Sequence, residues 1–210
     1  MTDPRTPADP TQVERFHPTS GRLLGSIGLA ICVLLVLLAV LDAGVTPEVA
    51  AVAALIGVLA WATMLKPRLR IEGPTLVLVN AFDTVRVPLA GIRSALVQQV
   101  LIVVVGERKV VSPAVGRSWR QAARKPRRSR ELAMSTVPGE GLPGDQKVAY
   151  ADFVEQRIAD RAREEQAARG VTPRTAEQDA LESEVERTPA WLEIGLLVVA
   201  VVVLVVTLLV

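Results

Sequence analysis

One cysteine (Cys32) and one histidine (His17) in 210 residues leave little for covalent or metal chemistry. A disulfide within the chain needs a second cysteine, and a zinc site of the Cys/His kind needs several such ligands. A histidine-centred triad would have to be built on His17, which sits in a proline-flanked polar arm. Aromatic residues are 3% of the chain, too few for a base-stacking platform, and no glycine-rich phosphate loop or metal-ligand spacing is present. The sequence therefore predicts a protein that is not an enzyme, with no catalytic residue, no cofactor and no metal.

What the chain does have is segregation. Half its residues are hydrophobic and its mean hydropathy is +0.35, yet 22% are charged. The two kinds must then lie in separate blocks, as in a membrane protein with a polar part. Leu23 to Leu41 is an uncharged run of 19 residues, enough at about 1.5 Å per helical residue to cross a hydrocarbon core about 30 Å thick. Val49 to Leu65 is a second such run, separated from the first by a loop around Asp42, Pro47 and Glu48. Together they predict a helical hairpin. Trp191 to Val210 is the third block, and its valines do not argue against a helix, because in lipid each backbone N–H must be satisfied within its own segment. Glu193 is expected at the headgroup level rather than as an ion or proton site. A cleaved signal peptide ending near Ala43 is the competing reading of the first block; the long arm with Asp3, Asp9 and Glu14, and the second apolar block close behind, argue against it. Gly25, Ser26, Ala50, Ala53, Ala54 and Gly57 would let the hairpin helices approach closely.

Lysine and arginine set the orientation. The loop Asp42 to Glu48 has none, whereas Arg5, Arg15 and Arg22 precede the first block and Lys66, Arg68 and Arg70 follow the second. The positive-inside rule then puts the N-terminus and the segment Lys66 to Ala190 in the cytoplasm and the C-terminus outside, in a multi-pass protein of the inner (plasma) membrane. Trp61, Lys66, Arg68, Arg70 and Trp191 are the expected membrane-interface residues.

The cytoplasmic segment divides by charge. From Lys66 to Arg130 there are 14 basic and 3 acidic residues; from Glu131 to Ala190 there are 7 basic and 13 acidic. The basic half reads as five or six short strands: Arg68 to Ile71, Leu76 to Asn80 after a Gly73-Pro74 break, Val85 to Leu89, Ala95 to Val105 with a bend near Gln98-Gln99, and Lys109 to Ser112 after a Gly106-Glu107-Arg108 turn. Such strands need a small barrel or a pair of packed sheets to bury one face. Tyr150 to Arg169 has helical spacing, with Tyr150, Phe153, Val154, Ile158 and Ala162 on one stripe, and with Arg161 and Glu165 paired on the opposite face. Ser135 to Gln146 is expected as loop, and Val171 to Pro189 as a polar acidic tether with a helical turn near Ala180 to Glu186. The organisation is thus a polar arm (1–22), a transmembrane hairpin (23–65), a β domain (66–115), a basic insert and Gly/Pro loop (116–147), a capping helix (148–170), the tether (171–190) and a third membrane helix (191–210).

Two hydrophobic helices are followed by Pro67-Arg68-Leu69-Arg70-Ile71, a glycine, the Leu76 to Asn80 strand, a short polar turn, and Val85-Arg86-Val87-Pro88 leading to Gly91-Ile92. This order resembles the bacterial PH-domain-containing membrane proteins of the actinobacterial type, over Leu23 to Ser112 and more loosely over the helix at Tyr150 to Arg169. The resemblance implies a PH-like fold, a bent β-barrel or sandwich capped by a C-terminal helix. The whole is then a membrane α-helical protein of three transmembrane helices carrying a cytoplasmic α+β PH-like domain. Where the family pattern has a tryptophan after Val87-Pro88, this chain has Leu89. The spaced basic residues that grip inositol phosphates in PH domains are not matched on its first two strands.

The most pointed charged feature is the insert, with Arg117, Arg120, Arg124, Lys125, Arg127, Arg128, Arg130 and a single aromatic, Trp119. Each cation near an anionic bilayer is worth about 1 kcal/mol, and the indole can enter the interface. The patch reads as a binding site for anionic phospholipid or for a partner, as a solvated loop that obeys the positive-inside bias, or as the counterpart of the acidic Glu177 to Glu186 stretch. No nucleic acid is expected, for want of a recognition element. The functional expectation is a non-enzymatic adaptor or accessory subunit of a membrane assembly, partnered by the membrane and by another membrane protein or a second copy. The alternatives are an anionic-lipid-binding surface organiser and a subunit that completes a catalytic or transport complex.

Overall fold

The computed structural model describes residues 13–16, 22–42, 44–116 and 143–209, with side chains from 150 onward in the last stretch. Three helices are long and apolar enough to cross a membrane. The first, α1 (Arg22–Val40), is followed by α2 (Pro47–Ala60), whose proline at the first helical turn costs no hydrogen bond. α2 continues through a wider π turn, Trp61–Leu65, in which the Lys66 N–H donates to Trp61 O. The third, named α5 below, is Trp191–Leu209. α2 packs against both of the others.

Small residues make the hairpin contact close. A Cβ on Gly25 would lie 2.9 Å from the Met64 Cβ, and one on Gly57 would lie 3.2 Å from the Cys32 Cβ. Of the other small residues expected there, Ala53 is buried, while Ser26 is exposed and turns its hydroxyl back to Arg22 O.

Among the described residues, eight strands and two further helices form the polar unit. β2 (Arg68–Glu72), β3 (Thr75–Val79) and β4 (Asp83–Pro88) are an antiparallel meander; β5 (Ile92–Val97), β6 (Leu101–Val105) and β7 (Arg108–Ser112) are a second one. The two-residue turns Gly73-Pro74 and Gly106-Glu107 each put glycine first, at φ of +55° in both, the conformation that lets a tight hairpin follow the twist of its strands. Leu69, Ile71, Leu76, Leu78, Val85 and Val87 on the inner face of the first sheet meet Ile92, Val97, Leu101, Val103 and Val105 of the second. α3 (Pro143–Arg169) closes this core with Ala151, Val154, Ile158 and Ala162, all buried. Each fully buried aliphatic side chain contributes about 1.5–3 kcal/mol, which is what holds the two meanders together.

The first sheet is wider than its meander. β1 (Val13–Phe16), ahead of α1, pairs antiparallel with β2, and β8 (Glu186–Pro189), just before α5, pairs antiparallel with β4, giving the order β1-β2-β3-β4-β8. The segments that lead into α1 and α5 are therefore the two edges of this sheet.

Several expectations are corrected. The stretch expected as an acidic tether is structured: the helical turn expected near Ala180 to Glu186 is a 3₁₀ turn, Leu181–Glu184, and it lies between α4 (Ala176–Ala180) and β8. The run Ala95 to Val105 is a hairpin, broken where Gln98 N–H donates to Val100 O. α3 starts at Pro143, inside the expected loop. Phe153 is 56% exposed rather than on the core stripe, where the smaller Ala151 takes its place. Arg161 is buried, not solvated, and pairs with Glu164 and Glu14 rather than Glu165. It faces β1, an element that hydrophobic spacing did not show.

Candidate functional site

The junction between the three apolar helices and the sheets is built around Lys66. The π turn ends α2 at this residue, and its ammonium lies 2.7 Å from Glu193 Oε1 at the start of α5 while donating to Ala81 O at 3.2 Å. Ala190 N–H donates to Phe82 O at 2.8 Å. The β3–β4 turn, Asn80 to Asp83, is thus seated on the ends of two membrane helices. Of the other expected interface residues, Trp61 lies half-buried in the π turn and Trp191 is exposed. Arg68 is exposed at the start of β2, and Arg70 Nε lies 2.8 Å from the Glu72 carboxylate as an ion pair.

On the far side of the unit, β1 is tied to α3. Arg157 donates to both oxygens of Glu14, at 2.9 and 2.6 Å, and Arg161 Nε lies 3.4 Å from the same carboxylate. The Arg157 guanidinium holds the Glu14 carboxyl below its usual range, against the opposing effect of burial, and is itself pushed up by Glu14.

Between β7 and β8 the sheets do not meet. A slot of about 410 Å³ is lined there by Asn80, Asp83, Val85, Arg108, Lys109, Val110, Val111, Val185 and Arg187. Its floor is apolar, from the three inward-facing valines Val85, Val110 and Val185. Asn80 closes the end at the membrane junction, with Nδ2 donating to Asp83 Oδ1 at 3.0 Å and to Val111 O at 3.3 Å. Beside the lining residue Arg108, the Glu182 carboxylate accepts from Glu107 N–H at 2.9 Å and pairs with Arg108 Nε at 2.9 Å. Arg187 pairs with Asp83 across β4 and β8.

The acidic stretch has partners within the folded unit. Asp179 pairs with Arg93, Glu182 with Arg108, and Glu184 with Arg169 at 3.4 Å. Three carboxylates of Glu177 to Glu186 are thereby held by strands and α3. The insert residues Arg117, Trp119, Arg120, Arg124, Lys125, Arg127, Arg128 and Arg130 lie outside the described residues, as does His17. Cys32 is buried between α1 and α2. Among the described residues, no group of three or more His, Cys, Asp or Glu side chains is placed to hold a metal ion.

The slot is the feature that reading the sequence missed. Its residues come from a turn, two strands and a supposed tether, which no spacing in the sequence brings together. Comparison with family models, with curated proteins and with solved structures gave no match.

Proposed function

We propose that the chain is a membrane-anchored binding module with a PH-like domain, acting as a non-enzymatic adaptor or accessory subunit of a membrane protein assembly. Two antiparallel sheets closed by a helix support the PH-like reading, and the lysine and arginine asymmetry supports a cytoplasmic position for the domain. PH-like folds bind peptides or headgroups at edges and grooves, which makes the step to function one of fold-level analogy.

One observation carries the adaptor reading. The segments before α1, after α2 and before α5 are strands of one sheet, β1, β2 and β8, and the β3–β4 turn is bonded to Lys66 and Ala190. A domain hung on a loose tether samples many orientations, whereas this one meets the bilayer in one. Such rigidity suits a module that presents a binding surface to a partner held in the same membrane.

The test is a gentle-detergent pull-down of the full-length protein with quantitative mass spectrometry, run beside a variant in which the seven cations of the insert become glutamine. A stoichiometric membrane partner supports the adaptor, and its loss in the variant assigns the contact to the insert. Recovery of phospholipid and the protein alone would replace the adaptor with the lipid-surface organiser.

A further inference from the structure

The slot between β7 and β8 has the chemistry of a missing strand. In the β5–β6 hairpin the Gln98 N–H···O=C Val100 bond fixes which residues bond across each ladder, so that Leu101, Val103 and Val105 of β6 bond to β7. Their partners Ser112, Val110 and Arg108 therefore turn their backbone groups inward to β6. Lys109 and Val111 turn theirs outward, and Asn80 Nδ2 on Val111 O takes up one of these groups from the slot side. On β8 the Ala190 N–H···O=C Phe82 bond fixes the alternation in the same way, leaving the Arg187 N–H and C=O on the outer edge. Both strands run toward the membrane junction, so one segment running away from it would pair antiparallel with each.

Resting on the adaptor reading, we propose that this slot binds an extended acidic segment of the partner protein, added as a strand between β7 and β8. The floor of Val85, Val110 and Val185 would seat one apolar side chain, and Arg108, Lys109 and Arg187 flank it with cations against the carboxylates of Asp83 and Glu182. Arg187 and Arg108 are 75% and 60% exposed at their side chains, which leaves most of their N–H groups open to an incoming carboxylate. A second observation separates a peptide from a lipid phosphate. Asn80 Oδ1 is buried at the end of the slot with no hydrogen-bond donor. A peptide brings N–H groups for that oxygen and carbonyls for the outward N–H groups of Lys109 and Val111, whereas a phosphodiester brings acceptors only.

The experiment uses the full chain in phosphatidylcholine nanodiscs and a fluorescent capped peptide of alternating glutamate and valine. Expected are saturable binding, loss of most of it when the peptide valines are N-methylated, and slowed hydrogen exchange at the Lys109 and Val111 amides when the peptide is present. Lys109→Pro removes an N–H that faces the slot and not β6, so the ladder survives; it should weaken binding at least tenfold, while Lys109→Gln, which keeps the N–H, should weaken it only a few-fold. Unaltered exchange at the Val103 and Val105 amides would show that the variant is folded. Equal binding of the N-methylated peptide, no binding at all, or protection of the Lys109 amide produced by phosphatidylglycerol in place of the peptide would each overturn the proposal. A partner that copurifies equally with wild type and Lys109→Pro would overturn the slot and leave the adaptor standing. Peptide binding without any copurifying partner would do the reverse.

Discussion

Lys66 Nζ sits 2.7 Å from Glu193 Oε1, so the residue that ends one apolar helix is bonded to the first turn of another. Both side chains are mostly buried, at 16% and 11% exposure, and the lysine also reaches Ala81 O. Removing either charge leaves the other in a poorly hydrated place. Lys66→Met and Glu193→Gln are each expected to destabilise the protein by about 1–3 kcal/mol, and the double variant by clearly less than their sum, because the orphaned charge is then gone. Thermal unfolding of the four proteins in one detergent measures the coupling; strict additivity would mean that the pair does not hold the helices.

β1, β2, β4 and β8 in one sheet require the arm before α1, the segment after α2 and the segment before α5 to lie on the same side of the membrane. In a Cys32→Ala background, single cysteines at Arg15, Arg86 and Glu177 should all react with a membrane-impermeant maleimide from one face only. The positive-inside reading makes that face the cytoplasmic one. A cysteine at Asp42, in the turn after α1, should react from the other face. Labelling of positions 15 and 86 from opposite faces would dismantle the sheet order.

The Glu14 carboxyl is held below its ordinary range by Arg157, which gives the β1–α3 contact a pH dependence of known sign. A carboxyl whose folded value lies below its unfolded one contributes stability above the unfolded value, near 4.5, and that contribution is lost as pH falls through the folded value. Glu14→Gln should therefore lower the thermal midpoint at pH 7, by the equivalent of about 1 kcal/mol for a partly exposed pair. The gap from wild type should close as the pH falls through the lowered folded-state value. An unchanged gap at low pH would show that the cost is one of packing and not of charge.

The core was legible because burial imposes a period. Leu69 and Ile71, Val85 and Val87, and Leu101, Val103 and Val105 alternate as half-buried strands must, and Gly73-Pro74 and Gly106-Glu107 mark their turns. β8 was not legible, since Glu186 to Pro189 are all exposed and bury no apolar face; the strand is held by pairing with β4 and by Arg187 on Asp83, which leaves no trace in hydrophobic pattern. β1 failed for a related reason: its four residues bury only Phe16, and Glu14 faces inward because Arg157 and Arg161 wait there. Slot and junction depend on these two strands. No local rule places Asn80 beside Val111, or Lys66 beside Glu193, before the sheet order is known.

Two buried glutamines offer a test of how the supposed tether is fastened. Gln166 of α3 donates through Nε2 to Ala90 O and Ile92 O at 3.2 and 3.1 Å, and Gln178 of α4 donates to the same two carbonyls at 3.3 and 3.1 Å. Gln178 Oε1 also accepts from Arg174 N–H at 2.7 Å. A carbonyl has two lone pairs, so both amides can share these acceptors, and either one alone keeps them satisfied. Gln166→Met should therefore cost little beyond its own bonds, while Gln166→Met with Gln178→Met orphans both carbonyls and should cost more than the sum of the single changes, by about 1–3 kcal/mol. Gln178→Glu keeps the shape but turns an acceptor toward two acceptors, and should be worse than Gln178→Met. Thermal midpoints, together with trypsin cleavage after Arg174 as a reporter of α4 release, measure both effects. Simple additivity would show that the two side chains act on separate parts of the fold.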